Sequence, residues 1–97
     1  ATANNQLGIS GVCKNVEIIP LNVYSSVVKD YIVDDIVAAL EYVQTNQIPI
    51  TNISLSTAED ISAVYNAVSS YEGLLVCSTE NQGNNQMYYP ACYDLDY

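Results

Sequence analysis

Two carboxylate pairs have the spacing to act together, Asp34 with Asp35 and Asp94 with Asp96. A dyad that shares one proton needs its carboxyls in contact, whereas neighbours on a helix point about 100° apart, so Asp34 and Asp35 read as a solvated helix face. Asp94 and Asp96 would project from the same side of a strand, where Asp30 or Glu80 could join them around calcium. No glycine-turn calcium loop accompanies them, and no metal site is assigned. Serines are plentiful, but the chain has no histidine to activate one, and its only amine bases are Lys14 and Lys29. Without arginine or a glycine-rich phosphate cradle there is no anion fork, and no cofactor is implied. These absences predict a chain that is not an enzyme, with no catalytic residue.

The three cysteines, Cys13, Cys77 and Cys92, form no CxxC pair, which speaks against zinc and thioredoxin-like chemistry. In an oxidising compartment a Cys13–Cys92 disulfide would tie the ends of the domain together. Closing so long a loop contributes roughly 4 kcal/mol in the chain-entropy model. Cys77 lies in the apolar run Leu74–Cys77 and is expected as a free or inter-chain thiol; a Cys77–Cys92 bridge would require a bulged or offset hairpin. Asn52-Ile53-Ser54 is a glycosylation sequon.

The 97 residues leave room for one domain, 1–97, and carry a net charge of −9. Ten of the 11 carboxylates lie from residue 30 onward, where no basic residue occurs. Such a charge repels nucleic acid and makes association sensitive to pH and salt. No apolar stretch is long enough to span a membrane, and the acidic, lysine-poor, Asn/Thr/Ser/Tyr-rich composition places the protein outside cells, as a secreted, extracellular species.

Periodicity supplies the scaffold. Residues 1–11 read as an extended arm and 12–97 as the core. Val12–Leu21 carries near-alternating β-branched residues and reads as a first strand ending at Pro20. From about Asp30, which could cap a helix, Ile32, Val33, Ile36, Val37, Leu40 and Val43 share one arc to about Thr45. Thr51–Ser56 alternates as a half-exposed strand. A second helix follows from a Ser56–Glu59 capping box, with Ile61, Val64, Tyr65, Val68 and Tyr71 on one face and Gly73 as a left-handed stop. Leu74–Ser78 reads as a central strand covered on both faces. From Tyr88 to Tyr97, tyrosines alternate with polar residues along an edge strand. The expected fold is α+β, an α/β sandwich of order β-α-β-α-β-β with a small mixed sheet of about four strands and two helices on one face.

Tyrosine combines contact area with a polar tip and concentrates at interfaces. Tyr65 and Tyr71 are assigned to the core. Tyr88, Tyr89, Tyr93 and Tyr97 on the edge strand, with Tyr31 and Tyr42 on a helix flank, are the candidate interface. The function expected from these features is a non-enzymatic, secreted protein–protein interaction domain. It would self-assemble as a structural homo-oligomer or filament through the N-terminal arm and the C-terminal edge strand. The second reading is a secreted killer-toxin-like or effector protein acting on a target cell surface, against which the low cysteine content counts.

Overall fold

A computed structural model of the chain describes residues 5–95. Its elements are β1 (Tyr24–Ser25), β2 (Asp30–Tyr31), α1 (Val33–Thr45), β3 (Ile50–Ile53), α2 (Ser62–Ser70) and β4 (Leu74–Cys77). The α+β architecture matches expectation, but the four strands form two sheets rather than one. β1 and β2 make an antiparallel hairpin, and β3 pairs in parallel with β4, Ile50 opposite Leu74 and Ile53 opposite Cys77.

A parallel pair cannot be closed by a tight turn, so the chain leaves β3, crosses over through α2 and returns as β4. α1 packs beside α2, and Leu40, Val64 and Val68 form the buried cluster between them. Ile53 and Leu75, on the inner face of the β3–β4 pair, pack against that cluster. The end of the sheet where both strands begin is pinned by Tyr71, 1% exposed. Its hydroxyl accepts a hydrogen bond from Thr51 Oγ1 at 3.0 Å and donates to the Ile48 carbonyl at 2.6 Å. The Glu72 amide donates to Gln44 Oε1 at 2.9 Å, joining the start of β4 to α1.

Several elements depart from expectation. α1 begins at Val33 because Asp30 is taken up by the hairpin, its carboxylate accepting from the Tyr31 amide at 2.7 Å. The capping box does not form: Ser56 bonds elsewhere, Thr57 Oγ1 accepts from the Glu59 amide, and α2 starts only at Ser62. Gly73 is not a left-handed stop, since α2 ends at Tyr71 in extended backbone. What Gly73 provides is room, because a Cβ there would strike the Tyr71 phenol and approach the Pro49 carbonyl oxygen to 2.7 Å.

Residues 12–21 are exposed and form no strand, for no other strand pairs with them. The C-terminal segment also forms no edge strand. Its backbone turns back on itself, the Cys92 amide bonding the Tyr88 carbonyl at 3.0 Å and Tyr93 bonding Pro90 at 3.1 Å. Tyr97, and the first four residues of the arm, lie outside the described residues.

β4 is not covered on both faces. Thr51, Ile53, Leu75 and Cys77 face the helices, while Ile50, Leu74 and Val76 on the outer face are exposed. The chain presents 7570 Å² to solvent, well above the roughly 5,500 Å² of a compact protein of its mass. Its radius of gyration is 15.2 Å, against about 12.5 Å for a compact domain of this length. Residues 5–22 and the outer face of the β3–β4 pair are exposed.

Gly73→Ala forces the Tyr71 ring or the Pro49 backbone to shift and is expected to cost about 1–3 kcal/mol in urea unfolding; an unchanged midpoint would show that the site has slack.

Candidate functional site

In open α/β sheets ligands bind beyond the carboxyl ends of parallel strands, because the loops there can diverge and present backbone and side-chain groups. Here that edge is formed by residues 54–57 after β3 and residues 78–83 after β4. The Ser78 amide still donates to the Ile53 carbonyl at 3.1 Å, which carries the strand pairing one step into the loops. Beyond it, Ser56 Oγ donates to Glu80 Oε1 at 2.5 Å, joining loops 24 residues apart in sequence. Glu80 takes φ +68°, the left-handed region that favours glycine. Asn81 follows it at once and is exposed.

The C-terminal segment closes one side of this edge. Thr57 and Tyr89 exchange backbone hydrogen bonds, both 2.9 Å. Tyr89 contacts Tyr93 at a centroid separation of 4.9 Å, and Tyr93 meets Tyr65 edge-on at 5.1 Å. The Tyr93 hydroxyl donates to the Ile61 carbonyl at 3.3 Å, so this ring is held on the N-terminal end of α2. Burial first, and then the negative charge of Asp60, raises its pKa above the ordinary phenol value.

The candidate residues are scattered by the fold. Tyr88, Tyr89 and Tyr93 are half-buried against the body of the protein, while Tyr31 and Tyr42 are exposed on the hairpin and on α1. Tyr65, assigned to the core, is 41% exposed. Cys13, Cys77 and Cys92 are all free thiols, so the Cys13–Cys92 bridge is absent: Cys13 sits on the exposed leading segment, and Cys92 is half-buried in the C-terminal turn with Sγ accepting from the Tyr88 amide at 3.2 Å. Cys77 faces inward, and burial pushes its thiol pKa up. Asn52 of the sequon is exposed on the outer face of β3, its amide donating to Ser54 Oγ at 2.9 Å. Asp34 and Asp35 lie exposed in the first turn of α1. Among the described residues no three metal-ligating side chains gather.

Ser26 and Lys29 have the spacing of a serine–lysine pair, but both are exposed in the turn between β1 and β2. Nothing there desolvates the amine, as base catalysis by lysine requires. Two depressions lie elsewhere. One, about 480 Å³, runs along the α1–α2 seam past Val37, Glu41 and Ala67, and the other, about 420 Å³, lies at the amino end of β4 beside Pro49 and Gly73. Neither brings a nucleophile to a base. The carboxyl edge joins its two loops through the Ser56–Glu80 hydrogen bond and exposes polar groups beside it, and is the better candidate.

The parallel β3-α2-β4 crossover thus gathers two polar loops at the carboxyl edge of its sheet. The Subtilase family model of peptidases matches residues 1–95, and the chain belongs to that family. No curated protein and no solved structure matches the chain. The family match overturns the reading of a non-enzymatic structural, filament-forming or killer-toxin-like protein. Counting reactive side chains was misleading because members of a peptidase triad are recognised by their geometry and not by closeness in sequence. Sequence reasoning gave Ser56 to a helix cap and Glu80 to a calcium cluster and passed over Asn81, whose only local signal was its position shortly after an apolar run.

Thiol labelling with a disulfide reagent is expected to modify Cys13 fast and Cys77 slowest, with mass spectrometry counting three reactive thiols after unfolding; two fewer would show a bridge. Because the folded state holds the Tyr93 proton more tightly than the unfolded chain, its contribution to stability is complete below about pH 10 and is lost as pH rises through the higher folded value. Tyr93→Phe should flatten that part of the alkaline stability profile measured by urea unfolding.

Proposed function

We propose that this chain forms part of a serine-peptidase catalytic domain and supplies the wall of the substrate cleft at the carboxyl edge of its parallel sheet. In this reading the Asn81 carboxamide donates a hydrogen bond to the oxyanion formed when a serine attacks the peptide carbonyl. Its position carries the reading: Asn81 lies in the loop leaving β4, exposed, at the edge where such sheets bind ligands. Subtilisin-type peptidases use an asparagine side chain for this purpose. Asn46 and Asn84 use their amide groups on nearby Tyr42 and Tyr88, and Asn52 uses its own on Ser54.

The reaction also needs a general base. The 97 residues hold no histidine, so this reading assigns no base among them; triad members are defined by geometry and not by closeness along the chain. The polypeptide substrate would lie against residues 54–57 and 78–83. Extracellular peptide hydrolysis suits the secreted setting read from the composition, and among the described residues no helix is long and apolar enough to cross a membrane.

In the polypeptide that carries this sequence, Asn81→Ala is expected to lower kcat on a peptide anilide by about 10²–10³ with KM nearly unchanged, the mark of a contact made in the transition state. Steady-state kinetics decides: a variant with wild-type kcat removes Asn81 from the oxyanion site. A fluorophosphonate probe should label that polypeptide and leave the 97 residues alone unlabelled.

A further inference from the structure

Ser56 and Glu80 make the one side-chain hydrogen bond that directly ties the loop after β3 to the loop after β4 among the described residues. The separation of 2.5 Å is at the short end for an O–H···O hydrogen bond. Both residues are half-buried, so the bond is partly withdrawn from competing water. Ser56 is presented from a firm support, because the next residue, Thr57, is paired through its backbone with Tyr89. Glu80 is the opposite case: at φ +68° its backbone sits where a residue with a Cβ is disfavoured unless its surroundings hold it.

We infer that Ser56 and Glu80 are positioning residues that lock the two carboxyl-edge loops together and set the direction of the Asn81 carboxamide. The geometry is sequential. The Ser56 hydroxyl holds the Glu80 carboxylate, the held side chain keeps the Glu80 backbone in its left-handed turn, and that turn fixes where the chain is heading when it reaches Asn81. Neither side chain contacts the reacting atoms in this scheme. The functional part of the inference rests on the oxyanion reading of Asn81, whereas the mechanical part does not.

The test therefore has two arms. In the 97-residue chain, nitrogen-15 relaxation should show the amides of residues 79–82 as ordered, with order parameters near 0.85 falling below about 0.6 in Ser56→Ala. The β4 amides should stay rigid. Ser56→Thr, which keeps the hydroxyl, should restore the wild-type values. Glu80→Gly, which adopts the same turn without strain, should loosen the loop even if it does not lower the melting temperature, and so separates loss of the bond from failure to fold. In the peptidase polypeptide, Ser56→Ala and Glu80→Gly should each lower kcat about tenfold with KM unchanged, and the double variant should be no worse than either alone, as for one shared interaction.

Wild-type order parameters in Ser56→Ala would overturn the lock, as would a Ser56→Thr chain as loose as the alanine variant. A parallel change in KM would overturn the positioning role by showing that substrate binding itself was damaged. If Asn81→Ala keeps full kcat while Ser56→Ala still frees residues 79–82, the oxyanion reading fails and the lock between the loops stands. If Asn81→Ala is impaired while Ser56→Ala leaves the loop ordered, the lock fails and the oxyanion reading stands.

Discussion

The parallel pairing of β3 with β4 is the constraint from which the rest of the structure follows. Strands that run the same way must be joined by a crossover, so α2 has to lie over the sheet, and its apolar face has to meet α1 on the same side. The two ends of the sheet then differ in kind. At the amino end the Tyr71 hydroxyl joins Thr51 to the Ile48 carbonyl and closes the structure tightly enough that only glycine fits at position 73. At the carboxyl end the strands release two polar loops, and there the backbone adopts the left-handed turn at Glu80. One end closes the structure, and the other presents polar loops.

The buried core is small beside the apolar surface left exposed. Among the described residues Leu40, Val43, Val64, Val68, Tyr71 and Pro90 are buried, whereas Ile50, Leu74 and Val76 are left on the outer face of a parallel sheet. Parallel sheets are ordinarily covered on both faces, since their strands carry apolar residues on each side. Val12, Val16 and Ile18 are exposed in the same way along the leading segment.

Much of the scaffold can be read from the residues themselves. The arc of Ile36, Val37, Leu40 and Val43, the alternation at Thr51–Ile53 and the run Leu74–Cys77 each become the expected element within a few residues. Errors arise where a distant partner decides. Ser56 has the local chemistry of a helix cap but bonds Glu80 instead. The β-branched residues of 12–21 have strand propensity and no strand beside them, and the alternating tyrosines after 88 curl into a turn that sets Tyr93 on Ile61. The candidate site was hidden for the same reason: it exists only once β3 and β4 are known to run in parallel, and its residues are polar groups in loops with no motif of their own. Counting reactive side chains identified what these residues lack, but not the reaction in which they could take part.

Tyr71 has an optical consequence. The chain has no tryptophan, so its near-ultraviolet spectrum arises from phenol rings, and among the described tyrosines Tyr71 alone is buried while Tyr24, Tyr31, Tyr42 and Tyr65 are more than 40% exposed. A chromophore sealed between a helix end and the first residues of two strands senses an asymmetric field, as do the touching rings of Tyr65, Tyr89 and Tyr93, and its own share is the difference between the wild-type chain and Tyr71→Phe. Its dichroic band is thus a built-in gauge of whether the crossover is closed, obtained without attaching any label.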